Sequence, residues 1–531
     1  MREHSRLLLL TPPLVQTNCP YPATMHLTGY LRERGFAVEQ RDLSVKVARD
    51  VLCEYGDETT EELLELLQNP AVPPEAKREA GTVIDELAIW IRDNVDSEFG
   101  FSRYAERLCA GAPDFGTVER LVRRQGVIDG SLIRHLRAAI AETRPTVIGV
   151  TCPFPGTLVG AFKIARWVKR HCPEIRMVLG GGFVNTELRE MTDPRPRRYF
   201  DDIIFDEGYA PMARILGEGS WVVPPFVKPD YDGIDMEEYF DVVETDNPMH
   251  RLWSSGRWLR LVMARGCYWH KCAFCDVRLP YIGCFEQPDP RTVVDAMEAL
   301  STSQPPQLVQ PPSFHFVDEA MPPALIRGVC REIIRRKFDC VWWGNIRFDR
   351  SFTPELAKLM ARAGCIAVTG GLECADDRLL ALMNKGITLA SARAAMTAFR
   401  DAGIMVHAYL MYGFPTESEK EAFGALGFVR DLFRDDLVQS AFWHRFALTV
   451  HSPVAADPER FGIRIDAVRP QGRGRYGKCV FRRNELAYEE PGAPDWDTVG
   501  AALNLALYNY LEGRGLGKNV YYWRNVICKR K

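Results

Sequence analysis

The sequence predicts an α/β chain with two parallel sheets. A doubly wound N-terminal sheet interrupted by a helical insertion comes first, then a partial (β/α)6 barrel and a small C-terminal region. Strand, helix and strand follow one another between Leu7 and Asp42, the alternation returns at Thr146, and six strand-and-helix repeats begin near Trp258. Short apolar runs alternating with longer amphipathic ones read as βαβ units, whose parallel strands must be covered on both faces.

At 531 residues the chain exceeds one ordinary core, and about 150 residues per domain suggests roughly three units. The expected divisions are 1–216 for the first sheet with its insertion at about 44–143, 217–256 for a linker, 257–446 for the barrel and 447–531 for a capping region. The 67 basic and 70 acidic residues leave a net charge of −3 and a pI near 6.4, so charge suggests no nucleic-acid partner. Fifteen cysteines show no paired framework of the secreted kind, which points to a reducing, cytoplasmic compartment. The Leu7–Leu10 run is too short for a signal segment and is broken by Pro12 and Pro13, and no long uncharged span follows, so no membrane partner is expected.

In order, Leu7 to Leu10 predicts a buried strand, Ala23 to Arg34 a helix stopped by Gly35, and Phe36 to Asp42 the next strand. From Ser44 to Thr143 the apolar spacing turns helical, as at Leu63, Leu64, Leu67, Val83, Leu87 and Ile91. The first sheet resumes with the strand Thr146 to Val150, the loop Thr151 to Gly156, a helix Ala161 to Lys169 and the strand Arg176 to Leu179, which runs into Gly180-Gly181-Gly182. Ligands in such sheets sit outside the carboxyl ends of the strands, where glycine turns let backbone approach closely.

In the second half, strands are expected at Phe314–Val317, Val341–Trp343, Ala367–Thr369, Met405–Tyr409 and Ser440–Trp443. Polar residues recur at their carboxyl ends: Asp318 with Glu319, Asn345 with Arg347, Gly370 and Gly371 with Glu373, and Gly413. That edge is where parallel barrels place reactive groups. The tail is rich in Pro, Gly and Arg over residues 469–476, with a helix expected near Val499 to Leu511 and an aromatic end at Tyr521 to Trp523; His451 and the pair Trp443 and His444 are further cavity candidates.

The most informative stretch is Cys267-Tyr-Trp-His-Lys-Cys272-Ala-Phe-Cys275, on a loop leaving a strand. Three thiols within nine residues suit one soft metal centre. Tetrahedral zinc with His270 as fourth ligand is one reading, and an iron–sulfur cluster with one open iron is the other and the favoured one.

This loop resembles the cluster motif of the radical S-adenosylmethionine (SAM) enzymes, with four residues rather than that family's usual three between the first two cysteines. The resemblance implies that Cys267, Cys272 and Cys275 bind a [4Fe–4S] cluster whose fourth iron is chelated by SAM, and that Phe274 lies against the adenine. It implies that Glu373 binds the SAM ribose, that Asn345 and Arg347 contact its carboxylate or ribose, that the turn Gly413-Phe-Pro-Thr-Glu417 lines its adenine, and that Gly370 and Gly371 are cofactor-binding beside Glu373. Residues from Leu7 to Asp42 and from Thr146 to about Leu216 resemble the cobalamin-binding domain that precedes the catalytic domain in one branch of these enzymes. Thr151 falls at that domain's hydroxyl-bearing loop, and Gly180 and Gly181 where a glycine pair passes the nucleotide tail. Ser44 stands where the family has a cobalt-ligating His, so cobalamin is expected to bind without a lower protein ligand, or the domain has kept the fold and lost the cofactor.

By this resemblance the chain uses an external electron donor of flavodoxin or ferredoxin type and methylates an unactivated carbon of a small-molecule or peptide substrate. Such carbon–hydrogen bonds are beyond side-chain bases and call for one-electron chemistry. The alternatives are a non-methylating cyclase, rearrangement or oxidative enzyme with a degenerate cobalamin domain, and a non-catalytic iron–sulfur or zinc binding protein.

Overall fold

The computed structural model describes residues 5–112, 114–217, 219–242, 247–254, 257–303, 311–466 and 479–530. It divides into two compact units, one built from residues 1–245, 254–257 and 468–484, the other from 246–253, 258–467 and 485–531. The tail motif at 469–476 lies outside the described residues.

The first unit holds a five-stranded parallel sheet of β1 (Arg6–Thr11), β2 (Ala37–Asp42), β3 (Val147–Thr151), β4 (Arg176–Gly180) and β5 (Asp202–Ile203). Its spatial order is β2-β1-β3-β4-β5, so β1 sits between β2 and β3. Successive strands are added on opposite sides of β1, so the winding switches there, and the carboxyl ends of β1 and β3 mark the position at which flavodoxin-like doubly wound sheets bind ligands. β1 and β3 are buried along nearly their whole length, as strands covered on both faces must be. One face packs Leu7, Leu9, Tyr30, Phe36, Val38 and Val178 into a core.

The insertion is helical as expected, over 43–55, 60–68, 74–94, 106–111, 115–123 and 129–143, with a short hairpin at 99–104 that periodicity does not reveal. Of the stretch 217–256 expected as a linker, residues 230–239 pack along the β2 edge. Gln40 donates to the Asp230 and Asp232 carbonyls at 2.7 and 2.9 Å, and the Tyr239 hydroxyl donates to Asp42 at 2.7 Å. Residues 479–484 also belong to this unit. Val480 O accepts from Thr192 N and Asp193 N, and Phe481 meets the Phe115 ring at 5.1 Å.

The second unit is a six-stranded, all-parallel sheet in sequence order: β6 (Leu259–Leu261), β7 (Ser313–Phe316), β8 (Val341–Ile346), β9 (Cys365–Glu373), β10 (Met405–Tyr412) and β11 (Ser440–Arg445). The sheet is open and does not close into a barrel. The helices at 323–336, 354–362, 389–401 and 419–434 alternate with the strands as expected, and each boundary moves by a residue or a few at most. Helix 248–254 carries Met249 and Leu252 into a cluster with Trp258, Trp343 and Ala367, which covers the amino ends of the strands. Helix 496–511 packs on β11 and on helix 419–434, shielding an edge that would otherwise present unpaired backbone groups.

Buried aromatics carry much of this unit's stability. Trp342 is fully buried, its indole N–H donating to Ala363 O at 2.8 Å and its ring edge-on to Phe316. Trp342→Ala should cost about 3–5 kcal/mol in urea unfolding. Phe442→Ala, at a residue 51% exposed on β11, should change stability by no more than about 0.5 kcal/mol. Equal losses would contradict this division between packing and accessible aromatics.

Candidate cluster and nucleotide site

The cysteine loop leaves β6 without a strand partner for its next residues, so side chains hold it. Asp318, just past β7 and buried, accepts from the backbone N–H groups of Met263 and Ala264, both at 2.8 Å. Burial raises its carboxyl to about 7 although those donors pull the other way. Asp318, one of the polar strand-end residues, therefore anchors the loop, while its neighbour Glu319 is exposed. The loop is closed at its neck by paired backbone bonds between Arg265 and Glu286, by their ion pair at 2.7 Å, and by Cys267 N donating to Ile282 O.

The four residues between the first two cysteines are pinned from outside. The Tyr268 hydroxyl donates to Asp349 at 2.7 Å, the Trp269 indole N–H donates to Asn384 O at 2.8 Å, and Asn384 donates back to Lys271 O at 3.0 Å. His270 is exposed, and its ring Nδ1 bonds the Cys267 carbonyl at 2.9 Å. Among the described residues no group of three or more His, Cys, Asp or Glu is arranged to hold a single metal ion. A cubane asks for something else, since its thiolates bind different irons.

All three cysteines are free, Cys272 buried and the other two half-buried. Burial raises the Cys275 thiol, and the nearby Cys272 and Cys267 add to the rise, so the three sulfurs share one neighbourhood. Burial raises Cys272 as well, while Lys385 and Arg347 oppose it. Arg347 is buried; one guanidinium nitrogen lies 3.8 Å from Cys272 Sγ, another donates to the Lys385 carbonyl, and the group rests 4.6 Å over the Trp269 ring. Two buried cations beside a thiol favour its deprotonated, metal-binding form.

Glu373 ends β9 in the left-handed region, φ 61°, at a break in register with β10. Its carboxylate is paired with buried Lys385 at 2.7 Å. A Cβ on Gly371 would stand 2.0 Å from Glu373 Oε1 and 2.7 Å from Lys385 Nζ, so glycine makes room for the pair. Gly370 instead clears the Phe348 ring. Phe274 lies beneath Lys385, ring centre to Nζ 5.5 Å. The Gly413 turn is shaped by Glu417, whose Oε2 accepts from Gly413 N at 2.6 Å and Phe414 N at 3.2 Å. Asn345 is committed to the strands: it donates to Asp318 O at 2.8 Å and accepts from the Thr369 hydroxyl.

The structure thus brings Cys267, Cys272, Cys275, Phe274, Arg347, Gly371 and Glu373 together, and ties Asn345 into the sheet. Sequence reasoning missed Lys385 and Trp269, whose only signals are a basic residue in a turn and an aromatic in the cysteine gap, and took Glu417 only as the end of the Gly413-Phe-Pro-Thr-Glu417 turn without its part in shaping it. Trp443 and His444, adjacent in sequence, face opposite ways. Trp443 is buried near Tyr412, whereas His444 is exposed beside Tyr409 and Phe442 on the face that carries Thr369 and His407.

In the first unit Thr151 pairs in register with Gly180 at the carboxyl edge of β3 and β4. The Thr151 hydroxyl is buried and unpartnered. A Cβ on Gly181, φ 115°, would stand 2.6 Å from the Cys152 backbone, so this glycine is required by the β3 loop itself. Ser44 is fully buried, its hydroxyl accepting from Val15 N at 2.7 Å.

The sequence of residues 261–429, which spans the cysteine loop, Glu373 and the Gly413 turn, matches the Radical SAM superfamily model. This segment is a radical SAM domain. Beyond it, the chain is 24% identical over 320 residues to the anaerobic magnesium-protoporphyrin IX monomethyl ester cyclase of Rubrivivax gelatinosus, covering 54% of each. The chain spans about half the length of the curated relatives it matches first. The radical S-adenosylmethionine methyltransferase TsrM of Kitasatospora setae, solved with cobalamin and a [4Fe–4S] cluster, shares the fold at TM-score 0.57 with 16% identity over 99% of both chains. The cobalamin-dependent S-adenosylmethionine radical enzyme OxsB shares it at 0.55 with 12% identity, over 95% of this chain and 66% of that one. Identities this low establish the fold alone. No helix among the described residues is long and apolar enough to cross a membrane.

Within the radical SAM domain, Glu417 gives a measurable pH effect. Burial raises its carboxyl to about 8 from an ordinary 4.5, outweighing the two N–H donors. A raised carboxylate favours folding in its protonated form, so its contribution is full below pH 4.5 and is lost as pH rises through about 8. Relative to Glu417→Gln, the wild-type melting temperature should fall steadily between those values, and parallel profiles would contradict the assignment.

Proposed function

We propose that this chain is a radical SAM enzyme that methylates an unactivated carbon of a small-molecule or peptide substrate with the help of cobalamin. The observation that carries the reading is the thiol trio of Cys267, Cys272 and Cys275 flanked by buried Arg347 and Lys385, within a domain of matching family. When bound, a reduced [4Fe–4S] cluster supplies the electron that cleaves SAM to a 5′-deoxyadenosyl radical, and cobalamin supplies a transferable methyl group.

The residues fit these groups. The three cysteines supply thiolates, and Arg347 holds the loop that presents them and favours their ionised form. Glu373 keeps one oxygen on Lys385 and has its other for ribose hydroxyls, as its two-oxygen acceptor chemistry suits. Phe274 offers a flat face beside it, and Glu417 fixes the turn whose Gly413 lines the adenine. On the sheet face that carries Thr369 and His407, His444 lies beside the accessible rings of Tyr409 and Phe442, a surface suited to substrate, and partial desolvation lowers its pKa although Glu373 opposes this. In the first unit, the orphaned Thr151 hydroxyl and the glycines 180 and 181 suit a cobalamin without a protein ligand from below, since Ser44 is occupied by Val15.

The relationship to a named cyclase supports a second reading, in which the radical step is kept and no methyl is transferred. Products separate the two. Anaerobically purified protein should hold about four irons per chain and show corrinoid absorption, and after dithionite reduction should convert SAM with formation of S-adenosylhomocysteine and a methylated product. 5′-Deoxyadenosine with unmethylated product would favour the second reading. Cys272→Ala should lose most of the iron and all SAM cleavage; retained iron without cleavage in the wild type would instead make this a non-catalytic cluster protein.

A further inference from the structure

Lys385 has no place in any motif described above, yet it is one of three buried lysines among the described residues, 6% exposed. Its position follows from a helix ending. Helix 377–382 is capped at its start by Asp376, which accepts from Leu379 N at 3.1 Å. It stops with Asn384 in the left-handed conformation, φ 52°, while Asn384 N donates to Ala381 O and Lys385 N to Leu380 O, both at 3.0 Å. This paired pattern is the Schellman ending, with Asn in the usual glycine place. It turns the chain sharply, so that Lys385 points back toward Glu373 and Gly386 comes down on Trp269.

Three separate contacts then join this turn to the cysteine loop. Ala273 N donates to Met383 O at 2.7 Å, Trp269 donates to Asn384 O, and Asn384 donates to Lys271 O, while Arg347 from the end of β8 donates to Lys385 O. A Cβ on Gly386 would stand 2.1 Å from the Trp269 ring, so the two surfaces meet without a gap. The residue added to the first cysteine gap is thereby held by side chains and a neighbouring turn rather than by the loop's own backbone bonds. The ammonium of Lys385 meanwhile grips one oxygen of Glu373 at 2.7 Å, both side chains being largely buried.

We propose that Lys385 is a positioning residue of this site: through one oxygen it fixes the Glu373 carboxylate in a single orientation toward SAM, and it sets a second buried cation beside the cluster held by Cys272. The inference rests on the reading of Cys267, Cys272 and Cys275 as cluster ligands. Positive charge in a low-dielectric surround favours the more negative, reduced cluster, so its removal makes reduction harder. A carboxylate that loses a buried partner also reorients or takes up a proton, which weakens its hold on hydroxyls.

The test uses the full chain, anaerobically reconstituted with iron and sulfide, titrated with dithionite and followed by electron paramagnetic resonance with and without SAM. Lys385→Met should keep the iron and sulfide content of the wild type, shift the midpoint potential to more negative values, and bind SAM at least tenfold more weakly by equilibrium dialysis. Lys385→Arg should restore both properties in large part, which a merely space-filling role would not demand. A Lys385→Met protein with unchanged potential and SAM affinity would overturn the inference while leaving the cluster assignment intact. Should Lys385→Met fail to take up iron, Lys385→Gln, which can still donate to Glu373 but carries no charge, is read in its place, and an unshifted potential there overturns it equally. A wild-type chain that takes up no iron and shows no signal on reduction would overturn the cluster assignment and this inference with it.

Discussion

Two buried charged side chains, Asp318 and Arg347, hold the cysteine loop, and the organisation of the radical SAM domain depends on them. A loop that must expose three sulfurs has no strand beside it to absorb its backbone groups, and unpaired groups in an enclosed site are costly. Asp318 takes up the N–H groups where the loop leaves β6, and Arg347 reaches the Lys385 carbonyl and the Cys272 sulfur further along. Both grow from the carboxyl ends of neighbouring strands, β7 and β8, so the rigidity of the sheet is passed to the loop. The same edge supplies Glu373 from β9 and Gly413 from beyond β10. Parallel strands in sequence order are what allow four consecutive β-to-loop transitions to converge on one rim.

Charge is arranged with some economy around that rim. Lys385 and Arg347 lie among Glu373 and the Cys272 thiol, and burial alone would drive the lysine toward its neutral form. Glu373 and Cys272 more than offset that tendency and raise it. An enclosed ion pair of this kind is weak evidence for stability, because desolvation opposes the attraction. Its retention at a ligand-facing carboxylate is better explained by orientation than by folding energy.

The first unit uses a different constraint. The winding of its sheet switches at β1, and the loops after β1 and β3 meet there: Leu14 N donates to Gly156 O at 3.3 Å. Gly181 is fixed by its approach to Cys152, so a glycine that resembles a nucleotide-passing residue has a purely internal reason to be there. The unpartnered Thr151 hydroxyl is the feature of that edge with no internal explanation, since buried hydroxyls are ordinarily bonded.

Much of this was written in the sequence by itself. Apolar runs bounded by Gly and Pro place the strands, because a strand covered on both faces has little choice but Val, Ile, Leu and aromatic residues, and the thiol trio announces a soft metal centre, with the choice of an iron–sulfur cluster resting on the ordered strand-end motifs beside it. Tertiary structure decided what each polar strand-end residue does. Asp318, Asn345 and Glu373 look alike in the sequence, yet one anchors a loop, one is consumed by neighbouring strands, and one is left facing the ligand rim. Lys385 and Trp269 were illegible for the same reason. Their partners lie 12 and 115 residues away, and only the packing of a helix ending against the cysteine loop brings the groups within bonding distance.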